Sequence, residues 1–327
     1  MEEISYNQAM LALLCQTSPN SVSRFIAQHN VESIKSDKSS NKRYDLQHSR
    51  IITDNLYASS RRPLSQQVQV FYNFKGGTGK TSLCYQVAYH LTMLGFSVLA
   101  LDLDPQGHLS SIMRIPEDWD GPTIYDVMIN GIDFEEAIVP VFPGLDLLPA
   151  NISMTRIEVP LSTKTKREEK LSQIIAPMRN IYDFIVLDTN PTISTLNMNA
   201  LVASDRVNVV CETQPFSLAG LRILVEEMIN FYGDMGLEPN YCIIPNKYEI
   251  KTATAQEVLG ALRSEFSSAV LSAVVRKSEE INIAAKKKLP ISAFCRPKST
   301  AFEDIMDLVH ELVKQSQQIA KTQNQVA

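Results

Sequence analysis

Three observations predict an α/β fold built on a doubly wound, mostly parallel sheet. From residue 67 onward, short and nearly continuous apolar runs alternate with helical segments, the pattern of strands covered on both faces. One of the strand–helix junctions carries a glycine-rich loop, residues 73–82. Composition also shifts near residue 65, where a polar, Ser-rich stretch ends in Ser59-Ser60-Arg61-Arg62-Pro63. The expected division is a small helical unit over 1–63 and the α/β domain over 64–327.

The N-terminal unit reads as helix–turn–helix. Residues 4–15 place apolar side chains at Ala9, Leu11, Leu13 and Leu14. Ser18 is a good N-cap and Pro19 suits a first helical position, so a second helix follows over 20–28 with Val22, Phe25 and Ile26 on one face. Residues 35–43 are polar and charged, like a wing or hairpin. Tyr44-Asp45-Leu46 opens a further helix containing Ile51, Ile52 and Leu56.

In the α/β domain the predicted strands are 68–74, 98–102, 145–148, 184–187, 207–211, 241–244 and 271–275, with helical segments between most of them. A last helix starts near Ser299, and the Gln-rich stretch 314–327 is expected to fray.

Composition narrows the function classes. The 327 residues suffice for about two domains, and with 44% hydrophobic residues the chain needs no metal or disulfide staple. Cys15, Cys84, Cys211, Cys242 and Cys295 lie far apart with no CxxC pair, as expected for buried reduced thiols. The 31 Lys and Arg against 36 Asp and Glu leave a net charge of −5, so affinity for nucleic acid must come from local patches. Met1-Glu2-Glu3-Ile4 lacks the pattern of a secretory signal. No uncharged apolar run approaches the roughly 18 residues of a membrane span. A cytoplasmic protein is expected.

The glycine-rich loop carries the chemistry. In Asn73-Phe74-Lys75-Gly76-Gly77-Thr78-Gly79-Lys80-Thr81-Ser82, a strand leads into a helix through three glycines. Phosphate binding needs backbone N–H groups converging on oxyanions, and a helix N-terminus adds positive potential. Lys80 would pair with the β/γ-phosphates and Thr81 would give its hydroxyl to Mg²⁺. A dinucleotide fingerprint fails, because Ser82 stands where a third glycine is required. Two further strand ends carry acids. Asp102 and Asp104 follow the run at 99–101, and Asp188 ends the run at 184–187, where a Walker B acid holds the Mg²⁺ shell. Asn246, in Ile243-Ile244-Pro245-Asn246-Lys247, could read an adenine edge.

Together these segments resemble the ParA/MinD family of deviant Walker-A ATPases, and ParA-type partition ATPases most closely. The usual P-loop glycine six places before the lysine is Phe74 here, and the motif Lys-Gly-Gly-x-Gly-Lys-Thr adds Lys75. The resemblance spans roughly 67–315, including Asp-x-Asp-Pro-Gln-Gly at 102–107. It implies an ATP-sandwich homodimer. Lys75 would reach the partner's phosphates, Asp104 would position the attacking water, Asp188 would be the Walker B acid, and Asn246 would contact adenine. Lys75, Lys80 and Asp104 are thus the expected catalytic residues. Residues 75–82 and Asn246 would bind nucleotide, and Thr81 with Asp188 would hold Mg²⁺, Asp102 or Asp104 acting through water. His108 and Asn190 depart from the family pattern.

Attachment to DNA is expected over attachment to membrane, since the C-terminal end has too few large apolar residues for an amphipathic anchor. Residues 276–298 hold seven basic residues, among them Arg276, Lys286, Lys287 and Lys288, against Glu279 and Glu280. Residues 20–65 hold eight basic and four acidic residues. By resemblance the N-terminal unit is a winged helix–turn–helix. Asn20, Ser21, Ser23 and Arg24 would face the major groove, with Lys42 and Arg43 on phosphate. The implied protein is a partition ATPase that dimerises on Mg-ATP and coats nucleoid DNA non-specifically. It would be stimulated by a ParB-type centromere-binding partner and would repress its own operon through operator DNA. The alternatives are a nucleotide-switched regulator without motor role and a MinD-like or cargo-positioning ATPase.

Overall fold

The computed structural model describes residues 4–34, 42–58 and 67–326, with side chains as far as Gln317. Most of the expected wing and the whole expected domain boundary lie outside the described residues.

The chain opens with a short strand where a helix was expected. Strand β1 (Ser5–Asn7) pairs antiparallel with β2 (Arg43–Asp45). Asn7 ends β1 and caps α1 (Gln8–Leu14), accepting the Met10 amide at 2.9 Å. Ser18 caps α2 (Pro19–His29), with Pro19 at the first position, as expected. Ile34 forms an isolated antiparallel bridge with Arg43. Helix α3 (Leu46–Ala58) follows β2.

The main sheet begins with β3 (Gln67–Tyr72), followed by α4 (Lys80–Met93), β4 (Val98–Asp102) and α5 (His108–Ile112). Next come α6 (Phe134–Ala137), β5 (Val139–Phe142), β6 (Leu145–Leu148), α7 (Glu158–Ser162), α8 (Lys170–Ile175) and β7 (Phe184–Asp188). The chain continues through α9 (Thr195–Ala203), β8 (Arg206–Glu212), α10 (Pro215–Asp234) and β9 (Tyr241–Asn246). It ends with α11 (Ala253–Glu265), α12 (Glu279–Lys287) and α13 (Thr300–Val326). The strand order is β5-β6-β4-β7-β3-β8-β9, parallel except for β5 against β6. Strands β3, β4, β7 and β8 are buried along their whole length; β4 and β7 read as unbroken apolar runs up to their terminal acids, while β3 and β8 also bury Gln69 and Asn208, which bond each other.

Two expectations fail here. Residues 271–275 form no strand. They touch β9 only through separate bonds, Leu271 N–H to Ile243 O and Val275 N–H to Pro245 O, both 2.9 Å. Pro245 has no N–H to continue a ladder, and the amides of Ser272 and Ala273 turn to the Glu311 carboxylate at 2.9 and 2.7 Å. The C-terminal stretch is helical to Val326 rather than frayed. Its Gln, Lys and Ala residues favour helix, and Ser316 accepts a bond from Gln69 of β3 at 3.0 Å. Strand β5 was missed because Pro140 breaks its pattern, and proline is tolerated at a sheet edge.

Helix α4 is buried on all sides from Leu83 to Met93, with the sheet on one side and α3 and α13 on the other. Its buried His90 and Thr92 are paired, whereas the Tyr85 hydroxyl is buried without a partner among the described residues. His90 Nδ1 lies 2.7 Å from Gln86 O and must donate to it, so Nε2 accepts from the Ser292 hydroxyl at 2.9 Å. Burial pushes the His90 pKa down to about 4, which keeps the ring neutral near pH 7. Ser292 also meets Tyr6 at 3.0 Å, and Tyr6 meets Tyr89 at 2.9 Å. Tyr6, Leu11, Leu14, Val22, Tyr44 and Ile52 belong to the same hydrophobic cluster as Leu83, Tyr89, Phe302 and Val309. Among the described residues the hydrophobic core therefore continues from the N-terminal segments into the α/β domain.

Candidate functional site

Parallel pairing sets the acids side by side. In register, Asp102 of β4 faces Asp188 of β7, and Glu212 of β8 faces Asn246 of β9, all at the C-terminal edge of the sheet. The glycine-rich loop leaves β3, which lies between β7 and β8, at that edge. Asn73 anchors the loop's start by donating from Nδ2 to Val210 O at 2.7 Å and accepting the Lys75 amide at 2.8 Å. Gly79 ends the loop with φ +92°, and a Cβ there would stand 2.5 Å from Asn246 Nδ2. Only glycine fits that position. Gly79 caps α4 with no side-chain bond, which leaves the amides of Lys80, Thr81 and Ser82 available to an anion.

Lys80 is nearly buried, and its Nζ reaches Lys75 O at 3.5 Å. Burial pushes its pKa down, against the opposing pull of Asp188 and Asp104. Asp188 is fully buried. Burial and then Asp102 push its pKa well up, and the Thr81 hydroxyl is a favourable polar neighbour. Both Asp188 carboxylate oxygens are buried without a hydrogen-bond partner among the described residues. Asp102 is braced by Ser110, whose amide and hydroxyl donate to Oδ2 at 2.8 and 2.7 Å, and burial raises its pKa to about 6. Asp104 accepts the Gln106 amide at 2.9 Å and lines the cleft. Three carboxylates here face one lysine. A divalent cation beside Asp188 and Thr81 would offset the surplus negative charge and satisfy the orphaned oxygens. Among the described residues, no group of three or more His, Cys, Asp or Glu side chains is placed to hold a metal by itself.

The cleft has a volume of about 880 Å³ and is lined by residues 76–82, Asp104, His108, Asn190, Lys247 and Lys286 among others. Of the two departures from the family pattern, His108 is exposed at the start of α5. Asn190 is clamped by Asn197, whose Nδ2 donates to its O at 3.0 Å and to its Oδ1 at 2.8 Å.

Several expected site residues sit differently. Asn246 is buried and donates to Thr78 O at 2.7 Å, so it braces the loop from beneath and does not line the cleft. Lys75 is turned away from the cleft, onto Glu212 at 2.8 Å and Ser217 at 3.3 Å. Arg276 is held by Asp304, with Nε 2.9 Å from Oδ2, and is not free for phosphate. Lys288 is the left-handed end of α12, with φ +54°, and its carbonyl accepts from Arg114. Lys286 and Lys287 are exposed, as expected. Arg43 is occupied by Ser5, bonding its hydroxyl at 2.8 Å, while Lys42 is exposed. Ser21 is engaged by Ser18 at 2.9 Å, leaving Asn20, Ser23 and Arg24 on the outer face of α2.

Sequence reasoning missed Glu212 and Lys247. The signal for Glu212 was present: it ends an apolar strand, as Asp102 and Asp188 do. The Arg276 pair yields a prediction. Arg276→Met leaves the nearly buried Asp304 carboxylate without its cation and should cost about 2 kcal/mol in urea unfolding. It should leave the salt dependence of any DNA binding unchanged.

Comparison with known proteins agrees with this geometry. The AAA domain family matches residues 66–236, over half of the chain. The chain is similar to the cell division protein PomZ of Myxococcus xanthus, at 29% identity over 252 residues, which is 76% of this chain and 79% of PomZ. It is similar to the chromosome-partitioning ATPase Soj of Treponema pallidum, at 29% identity over 228 residues, covering 69% of this chain and 88% of Soj. In fold it is similar to a cobyrinic acid a,c-diamide synthase of Mycobacterium smegmatis solved with ADP and magnesium. There the TM-score is 0.66 at 23% identity, covering 76% of this chain and 94% of the other.

Proposed function

The chain belongs to the AAA domain family, among its ParA-type partition ATPases, and from that premise we propose that it hydrolyses Mg-ATP and dimerises on ATP to bind DNA. The observation that carries this reading is Lys80, nearly buried at the start of α4 with Asp104 and with an Asp188 whose oxygens lack partners. In this reading the loop amides and Lys80 hold the β/γ-phosphates, and Thr81 and Asp188 hold Mg²⁺. The ion screens phosphate charge, and Asp104 orients the attacking water. Lys75 acts across a homodimer. Exposed Ile193, beside cleft residue Thr192, and Phe216, 90% exposed beside the Lys75 partner Ser217, are apolar surface that a second copy would cover. A ParB-type partner would stimulate turnover, as the relatives' partition roles suggest. No helix among the described residues is long and apolar enough to cross a membrane.

DNA contact is assigned to two places. Non-specific binding uses exposed Lys286 and Lys287 at the end of α12, whose residues Asn282, Ala285 and Lys286 line the nucleotide cleft. Operator binding and autorepression use the outer face of α2. Support comes from the order Ile34–β2–β1 of antiparallel pairings beside the α1–α2 pair, which suits a winged helix–turn–helix. Co-sedimentation with DNA tests both. K286E/K287E should lose ATP-dependent binding to random DNA, with the salt slope falling by roughly 0.9 for each phosphate contact removed. Arg24→Glu should lose operator preference alone. Unchanged binding and slope in K286E/K287E would refute the first assignment.

A further inference from the structure

The three strand ends of β3, β8 and β9 lie side by side, and each carries a charged residue at or just beyond it: Lys75, Glu212 and Lys247. Glu212 gives one oxygen to each lysine. Oε2 accepts from Lys75 Nζ at 2.8 Å and Oε1 accepts from Lys247 Nζ at 2.8 Å. The carboxylate is only 8% exposed, whereas the Lys75 side chain is 46% exposed. Lys247 is also tied to the loop through Gly77 O, and its backbone is left-handed at φ +52°. Burial pushes the Glu212 pKa up, but the bonds from Lys247 and Lys75 outweigh it and hold the group ionised.

We propose that Glu212 is a positioning residue that parks Lys75 against its own subunit, so that Lys75 becomes available to a second subunit only when Lys247 alone can satisfy the carboxylate. The inference rests on the reading of Lys75 as a residue acting across the dimer. The asymmetry of the two lysines is the reason. A nearly buried carboxylate cannot be left unpaired without a large penalty, so a single lysine partner would be hard to remove. With two partners, departure of the more exposed one leaves the charge still compensated. Lys247, 38% exposed, is the less exposed of the two, and its second bond, to Gly77 O, ties it to the loop, whereas the second bond of Lys75 is the longer one to Ser217. Ser217, 3.3 Å from Lys75 Nζ, adds a weaker hold.

Glu212→Gln keeps the shape and weakens both ion pairs. Its dimerisation should be followed by light scattering against a non-hydrolysable ATP analogue with Mg²⁺, next to wild type, Lys75→Ala and Ser217→Ala. The analogue concentration at half-dimerisation should fall about 3- to 10-fold in Glu212→Gln and about 2-fold in Ser217→Ala. The affinity of the monomer for ADP should change less than about 2-fold, a split that a merely structural defect would not produce. If Glu212→Gln is unstable, Ser217→Ala alone decides the sign. A midpoint that is unchanged or raised in the folded variants, while wild type dimerises and Lys75→Ala does not, overturns the parking role and leaves the dimer reading intact. A wild type that stays monomeric, or a Lys75→Ala that dimerises normally, overturns that reading and the parking role with it.

Discussion

Lys80→Ala is expected to lower ATP and ADP affinity by at least about 100-fold, a loss of roughly 3 kcal/mol. Lys80 opens α4 and lines the cleft, and its ammonium is nearly buried. A cation in so enclosed a place forms strong charge-assisted bonds to phosphate, and water replaces it poorly. The chain's remaining positive contributions there are the backbone amides at the start of α4, Lys247, which is already paired with Glu212, and the exposed Lys286. They are too few to offset three neighbouring carboxylates. Titration calorimetry with ADP and Mg²⁺ reads the change directly. Affinity within threefold of wild type would remove Lys80 from the phosphate site. Because the substitution also frees Asp188 and Asp104 of their compensating cation, circular dichroism should accompany the titration.

Asp104→Ala separates binding from turnover. Asp104 follows the strand-end pair Asp102–Asp188, and its own amide donates to Asp102 Oδ1 at 3.1 Å. The turn is thus fixed by Asp102, which is itself fixed by Ser110. Removing the Asp104 carboxylate spares that scaffold and takes away the group proposed to orient water. Interactions that matter only in the transition state affect turnover without affecting ground-state binding. Hydrolysis should fall about 100-fold while ATP affinity stays within a few-fold. The variant should stay on DNA longer with ATP. If it fails to bind ATP, Asp104 belongs to the binding scaffold.

Much of this site could be read from the sequence, because its parts lie at the ends of buried parallel strands. Strands β4 and β7 are unbroken apolar runs, so Asp102 and Asp188 stand out as the first charges after them. The loop stands out because Gly79 must be glycine: its φ is left-handed, and Asn246 presses against it. The sequence hid whatever depends on side-chain direction. Asn246 has the same neighbours in sequence whether it faces adenine or braces the loop. Arg276 counts as a positive charge in any tally of 276–298, yet Asp304, 28 residues on, consumes it. The N-terminal unit reads as a separate body because its composition is polar. Only the packing of Tyr6 against Tyr89 and Ser292 reveals that its core continues into α4. Residues 271–275 look like a strand by hydrophobicity, and the missing N–H of Pro245 together with Glu311 undoes it.

The central claim is that nucleotide state controls association between two copies of this chain. The most direct measurement is the mass of the wild-type protein in solution, by sedimentation equilibrium, with Mg-ATP analogue and with Mg-ADP at the same protein concentration. The account predicts a dimer with the ATP analogue and a monomer with ADP. The same mass with both nucleotides, when both are shown to be bound, would contradict it.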